Sequence, residues 1–280
     1  MVSTRTTRRR FRPSSPLAPV LSGWRHRRLI RSLVARELQA RYRGSLLGTG
    51  WTIVLPLLML TTYTFVFVGI FHNSNQEVEG QKLDFTLALF VGLIVFTLFS
   101  EVFIRSPGLL LENVSFLKKV PFPVEVLPWI SISVALVNAA IAFTILILFY
   151  LVRIGVPPPS ALAVPVILAP LVMVLMGLSW FLASAGVFLR DLRPLMGPVS
   201  NLIMFLSPVF YPLSALPERF RPFMYWNPLT IPIQDIKVAL FLGRLADPLP
   251  WLGSLCVGAV VMWFGYWWFE QTRHAFADVV

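Results

Sequence analysis

The chain has 280 residues, 56% of them hydrophobic and 13% charged, and a formal net charge of +11. Soluble proteins carry about 25% charged residues, and charged side chains are costly in hydrocarbon, so an ordinary soluble domain is excluded. The apolar residues form continuous blocks on the scale of the ~20 helical residues that cross a ~30 Å bilayer core, not the short alternating segments of a spanning barrel. The expected class is an all-α, polytopic integral membrane protein.

Twelve of the 24 Lys and Arg residues lie in the first 43 positions. In a soluble protein such a cluster points to nucleic acid. Beside a membrane helix it is explained by topology and anionic lipid, and no nucleic-acid partner is expected. Thr7-Arg8-Arg9-Arg10-Phe11 looks like a twin-arginine export signal, but the first apolar block begins only near Leu46, too far downstream for a signal peptide. Residues 1–24 read as a basic cytoplasmic tail. Residues 25–43 follow as an amphipathic helix, in which Ile30, Val34, Leu38 and Tyr42 recur every four residues beside Leu29 and Leu33. Such a helix lies in the cytoplasmic interface, with Arg36, Arg41 and Arg43 close to lipid phosphates.

Residues 44–280 read as a transmembrane domain of six spans, at about Leu46–Phe71, Phe85–Phe103, Val126–Val152, Leu162–Leu189, Leu195–Tyr211 and Leu249–Phe269. Gly44 and Gly48, four apart at the first, permit close helix contact. Residues 72–84 form a polar outer loop, and Arg105-Ser106-Pro107-Gly108 ends the second span. Glu101 and Arg105, one turn apart near that end, can pair. Lys118-Lys119 and Pro121-x-Pro123 keep residues 109–125 out of the membrane. The charged turn Arg190-Asp191 reads as a helix-end ion pair, and Cys256 as a small packed hydrophobe.

Pro208, Pro212, Pro217, Pro222, Pro228 and Pro232 punctuate the chain around and beyond the fifth span, where Tyr211, Tyr225 and Trp226 suit a membrane–water boundary. Leu229–Leu242 is apolar but only 14 residues long and holds Asp235 and Lys237, so it reads as a re-entrant or interfacial helix. With six spans, 18 basic residues fall inside and 6 outside, which places both termini in the cytoplasm of a bacterial-type plasma membrane.

No GxxxxGK[ST] phosphate loop occurs, since none of Lys82, Lys118, Lys119 and Lys237 precedes Ser or Thr. No HExxH motif occurs and His26, His72 and His274 are isolated, so no catalytic residue and no metal are expected. Ion-coupled transporters place ionisable groups in mid-membrane, whereas here the mid-span polar residues are chiefly Asn138, Asn201 and small hydroxyls. A transporter with neither site takes its energy from a partner. Phe116, Leu117 and Phe122 beside Lys118-Lys119 suit docking into a groove on another subunit, or folding back onto the chain's own helices.

Four segments then carry a resemblance. Arg36-Glu37-Leu38 with Arg41-Tyr42-Arg43-Gly44-Ser45-Leu46-Leu47-Gly48 and Trp51 is similar to the start of the membrane subunit of polysaccharide-exporting ABC transporters, the O-antigen exporter permeases among them. Glu112-Asn113-Val114-Ser115-Phe116-Leu117-Lys118-Lys119-Val120-Pro121-Phe122-Pro123 resembles that family's coupling region, and Arg190-Asp191-Leu192 its charged turn. Ser207-Pro208-Val209-Phe210-Tyr211-Pro212, Leu216-Pro217-Glu218 and Trp226-Asn227-Pro228-Leu229 resemble its outer gate.

The resemblance implies a type-2 ABC exporter fold: a homodimer of this chain with two copies of a separate ABC ATPase that binds ATP and Mg, moving a lipid-linked polysaccharide across the inner membrane. Asn113, Phe116, Leu117, Lys118, Lys119, Pro121, Phe122 and Pro123 would take the ATPase stroke. Arg36, Arg41, Tyr42 and Arg43 would flank the substrate entrance, and Tyr211, Pro212, Tyr225, Trp226, Asn227 and Pro228 would belong to the outer gate. The alternative is an exporter of the same fold that carries a teichoic-acid or capsule polymer, or a drug or small lipid. A membrane enzyme would need a carboxylate or His cluster that the sequence lacks, and a scaffold without transport would lack a gated channel.

Overall fold

The computed structural model describes residues 15, 17–41, 44–45, 47–66, 75–78, 81–113 and 122–276, with the backbone alone at 49, 75–78 and 81–83. Its principal helices are α1 (Ala18–Arg25), α2 (Arg27–Arg41), α3 (Trp51–Thr64), α4 (Phe85–Arg105), α5 (Leu127–Arg153), α6 (Ala169–Phe188), α7 (Leu192–Phe205), α8 (Thr230–Lys237) and α9 (Pro248–Thr272). Among the described residues four stretches are long and apolar enough to cross a bilayer: Phe85–Glu112, Val124–Arg153, Pro159–Phe188 and Pro248–Ala275. They coincide with the second, third, fourth and last expected spans. The first and fifth appear as the 14-residue helices α3 and α7, each ~21 Å long at 1.5 Å per residue. Residues 67–71 of the expected first span lie outside the described residues.

Ahead of α4 stands a hairpin in which β1 (Asn75–Val78) pairs antiparallel with β2 (Gln81–Asp84), Asn75 opposite Asp84. Asp84 then caps α4, accepting from the amides of Thr86 and Leu87. Leu87 to Phe90 and Val91 to Val95 are buried, so α4 is the central post of the bundle, packed mainly on α5. The second span does not stop at Arg105. Ser106–Gly108 make one tighter turn and Leu109–Glu112 resume the helix. Pro107 stands at the start of that turn, where its missing N–H costs little, and Ser106 Oγ donates to the Val102 carbonyl (2.6 Å).

The closest packing joins α6 and α9. A Cβ on Gly177 would lie 2.2 Å from the Val261 carbonyl oxygen, and one on Gly265 would lie 2.0 Å from that of Gly177. These glycines let two backbones touch, the small-residue contact that replaces hydrophobic driving force in lipid. Gly44 and Gly48, expected in that role, have φ of +86° and +51° and open space around them. They provide left-handed backbone between α2 and α3, and the helix begins only at Trp51.

The basic N-terminal segment is shorter than expected, because Ala18–Arg25 already form a helix. It packs on α9 and on the ring of Trp129, and it ends at His26, which separates it from α2. The apolar stripe of α2 turns onto the bundle: Ile30 is buried and Leu29, Leu33 and Val34 pack against the core. Cys256 is exposed on α9 rather than packed.

The expected short segment Leu229–Leu242 is α8 followed by a π turn over Val238–Leu242, ended by Gly243 at φ +68°. Leu229, Ile233 and Ile236 are fully buried. A π turn frees carbonyls from the helical ladder. Tyr150 donates its hydroxyl to the Leu240 carbonyl (2.9 Å) and Ser160 to that of Ala239 (2.6 Å).

Candidate functional site

Charged residues from distant parts of the chain meet where α2 crosses the end of α4. On α2, Glu37 and Arg41 stand one turn apart; on α4, Glu101 and Arg105 do the same. By their spacing Glu101 and Arg105 can pair with each other. Instead each reaches across: Arg41 bonds Glu101, and Arg105 bonds Glu37. The two antiparallel rungs latch α2 to the central post. Asn138 of α5 donates to both Glu101 oxygens at 3.0 Å, which fixes the carboxylate.

The network continues toward the expected coupling loop. Arg105 lies 3.8 Å from Glu112, and Glu112 accepts from Arg193 at 2.8 Å. Arg193 also approaches the Gly108 carbonyl at 3.4 Å. Asn113 folds back onto the Leu109 carbonyl (2.9 Å), closing the helix where the loop departs. Phe116, Leu117, Lys118, Lys119 and Pro121 lie outside the described residues, as do Tyr42 and Arg43. Phe122 is half-buried against the core rather than exposed, and Pro123 precedes the turn Val124–Val126. Arg36 is exposed on α2. Arg190 and Asp191 are both exposed and make no ion pair with each other, since adjacent residues point apart; their neighbour Arg193 makes the structural contact.

Two clefts flank the latch. One of about 290 Å³ lies beneath α2, between Arg36, Glu37, Arg105, Glu112 and Asn113. The other, about 190 Å³, runs between α3, α4 and α5; its walls are apolar and its polar end is formed by Arg41, Glu101 and Asn138.

The residues expected in the outer gate sit beyond the end of α7. Asn227 is a staple: its amide donates to the carbonyls of Ile203 (3.3 Å) and Leu206 (3.0 Å) and contacts Ser207 Oγ (2.8 Å), while its oxygen accepts from the Leu229 amide (2.9 Å). It therefore joins the end of α7 to the start of α8. Tyr211 donates to the Phe205 carbonyl (2.8 Å), and Pro212 precedes the turn Leu213–Ala215. Tyr225 and Trp226 are exposed, Trp226 at 88%, and Pro228 is half-buried. Lys237 is wholly buried, and its ammonium donates to the Pro208 carbonyl (3.1 Å).

The arrangement thus brings α2, the end of the Phe85–Glu112 stretch and the first turn of α7 into one ionic network through Arg41, Glu101, Glu37, Arg105, Glu112 and Arg193, with the residues expected in the outer gate elsewhere. Sequence reasoning missed Glu37, Glu112 and Arg193 as partners. The available signal was the placement of acids at helix ends on the basic side of the protein. Among the described residues no group of His, Cys, Asp and Glu could hold a metal ion.

The sequence pattern of the ABC-2 type transporter family matches residues 28–241. The O-antigen export system permease protein RfbA of Myxococcus xanthus is 29% identical over 259 residues, 92% of this chain and 97% of that protein. A Klebsiella pneumoniae O-antigen export system permease protein RfbA is 25% identical over 247 residues, 88% of this chain and 92% of that one. The polysialic acid transport protein KpsM of Escherichia coli is 20% identical over 219 residues, 78% of this chain and 83% of that protein.

Proposed function

We propose that this chain, which belongs to the ABC-2 type transporter family, is the permease subunit of an ATP-driven exporter of lipid-linked polysaccharide. The observation that supports this most strongly is its likeness to O-antigen export permeases across nearly its whole length. In this reading two copies of the chain form the channel in the inner membrane, with both termini in the cytoplasm. ATP and Mg bind to two copies of a partner ATPase, and the chain catalyses nothing itself. The glycan's lipid carrier approaches at Arg36, Arg41 and Arg43, whose guanidinium forks suit a phosphate or pyrophosphate. The ladder through Glu37, Arg105, Glu112 and Arg193 supports a path by which a push on the coupling loop reaches α2. A second reading, export of a capsule-like acidic polymer, rests on the polysialic acid relative.

Purification of the chain with its chromosomal neighbours tests the reading. An ATPase should copurify, and loss of the chain should leave glycan on the cytoplasmic leaflet. Normal surface glycan without the chain would sink it. The coupling loop gives a sharper test: Phe116→Ala should abolish export while ATP hydrolysis continues. Full export by that variant removes the docking role. Phe122→Ala should instead act through packing, lowering stability by about 2 kcal/mol for a half-buried ring.

A further inference from the structure

The helix α1 is built with its bulky apolar side chains facing outward. Ala18, Pro19, Ser22 and Gly23 face the protein and are buried. Gly23 sits so close to Trp129 that a Cβ would lie 2.6 Å from the ring. The residues pointing away are Leu17, Val20, Leu21 and Trp24, exposed at 64%, 48%, 41% and 69%. Their spacing of i, i+3, i+4 and i+7 is one continuous stripe. A helix of eight residues has no stability of its own in water and is held by packing, and an outward stripe of large apolar side chains calls for cover. The protein covers only the opposite face.

Three features identify what covers the other. The stripe adjoins α9, on which α1 packs and whose outward side chains Val260, Trp263, Phe264 and Trp268 form an exposed apolar belt. Trp24 carries the Arg27 guanidinium over its ring, 5.0 Å from the centroid, an aromatic plane topped by a cation, which suits the headgroup boundary. The charge is single-signed: residues 1–36 contain ten arginines and no Asp or Glu, and Arg25, Arg27, Arg28 and Arg31 are exposed immediately beyond the stripe. Unbroken positive charge beside an outward apolar stripe is complementary to an anionic bilayer surface.

We propose that α1 is an in-plane membrane anchor. Leu17, Val20, Leu21 and Trp24 insert at the boundary of headgroup and acyl chain, and the arginines that follow hold anionic phospholipid headgroups. α2 has a different role, since its apolar stripe is spent on the bundle. The family pattern begins at residue 28, so the anchor lies ahead of the segment that defines the family, and the inference does not depend on the substrate proposed above.

The test uses the full chain carrying Cys256→Ser, with Trp24→Cys or, separately, Leu21→Cys, labelled with an environment-sensitive fluorophore. The chain is reconstituted into vesicles of phosphatidylcholine and phosphatidylglycerol. Lipids carrying a nitroxide close to the headgroup should quench both probes, and aqueous iodide should not. Nitroxide on phosphatidylglycerol should be about fivefold more effective than on phosphatidylcholine at equal mole fraction, the enrichment that one juxtamembrane arginine produces. Quenching by iodide alone would place the stripe in water and overturn the proposal. Shielding from both quenchers would do the same, because it would mean that a protein surface covers the stripe.

Discussion

Replacing Glu101 with Arg should lower export roughly tenfold to hundredfold, and adding Arg41→Glu in the same chain should restore most of it. The side chains of Arg41 and Glu101 are 32% and 17% exposed. Their pairing therefore falls between an exposed ion pair at up to ~1 kcal/mol and a buried one whose disruption costs ~3–5 kcal/mol. A loss of roughly 1–3 kcal/mol from the docked position of α2 corresponds to the stated fall, at about 1.4 kcal/mol per tenfold. The exchanged pair is chemically feasible because Asn138 Oδ1 is buried without a partner and its amide can turn to accept from Arg at position 101. The double exchange also separates two roles for Arg41. If its charge only latches α2 to α4, reversing both partners preserves function. If it holds the phosphate of the substrate, the double variant stays inactive while expressed and correctly inserted. Export measured by surface glycan, beside expression level, distinguishes the outcomes.

A single methyl group on α9 should be as damaging as a charge reversal, provided it is placed at Gly265. Gly→Ala in an open helix position stabilises by ~1 kcal/mol through helix propensity. At Gly265 the new Cβ would stand 2.0 Å from the Gly177 carbonyl oxygen, and backbone cannot rotate out of the way as a side chain does. The helices must separate, and overpacking typically costs ~1–3 kcal/mol or more. Gly265→Ala should therefore lower the apparent melting temperature in detergent by roughly 5–10 °C. Gly253, on the same helix, has nothing within 4 Å of its Cβ position. Gly253→Ala should leave the melting temperature unchanged or slightly higher. Equal behaviour of the two variants would show that α6 and α9 are not in backbone contact.

The spans were legible because lipid imposes a length and a polarity that hydropathy alone reports, and Phe85, Val124 and Pro248 stand within a few residues of their expected starts. The latch was not legible, because Arg41 and Glu101 are 60 positions apart, and only the fold shows that the partner one turn away on the same helix loses to one on another. Glycine spacing misled in the opposite direction. Gly44 and Gly48 have the interval of a packing motif but serve backbone conformation, whereas Gly177 and Gly265, 88 positions apart in the chain, make the contact. The apolar stripe of α1 escaped notice because it lies in a segment dominated by arginine, and because its inward face is made of small residues that carry no hydropathy signal.

α5 has a mechanical consequence. It runs unbroken from Leu127 to Arg153, with its only proline, Pro128, in the first turn and no glycine. Asn138 grips Glu101 of the latch, and Tyr150, twelve residues on, grips the carbonyl of Leu240 in the π turn. Twelve residues span about 18 Å of stiff helix. The helix is therefore a push rod with a clamp at each of two heights. An axial displacement of the rod at Asn138 would move Tyr150 and the π turn with it, because continuous helix and no flexible loop joins the two positions, and a twist of the rod would turn both clamps in phase.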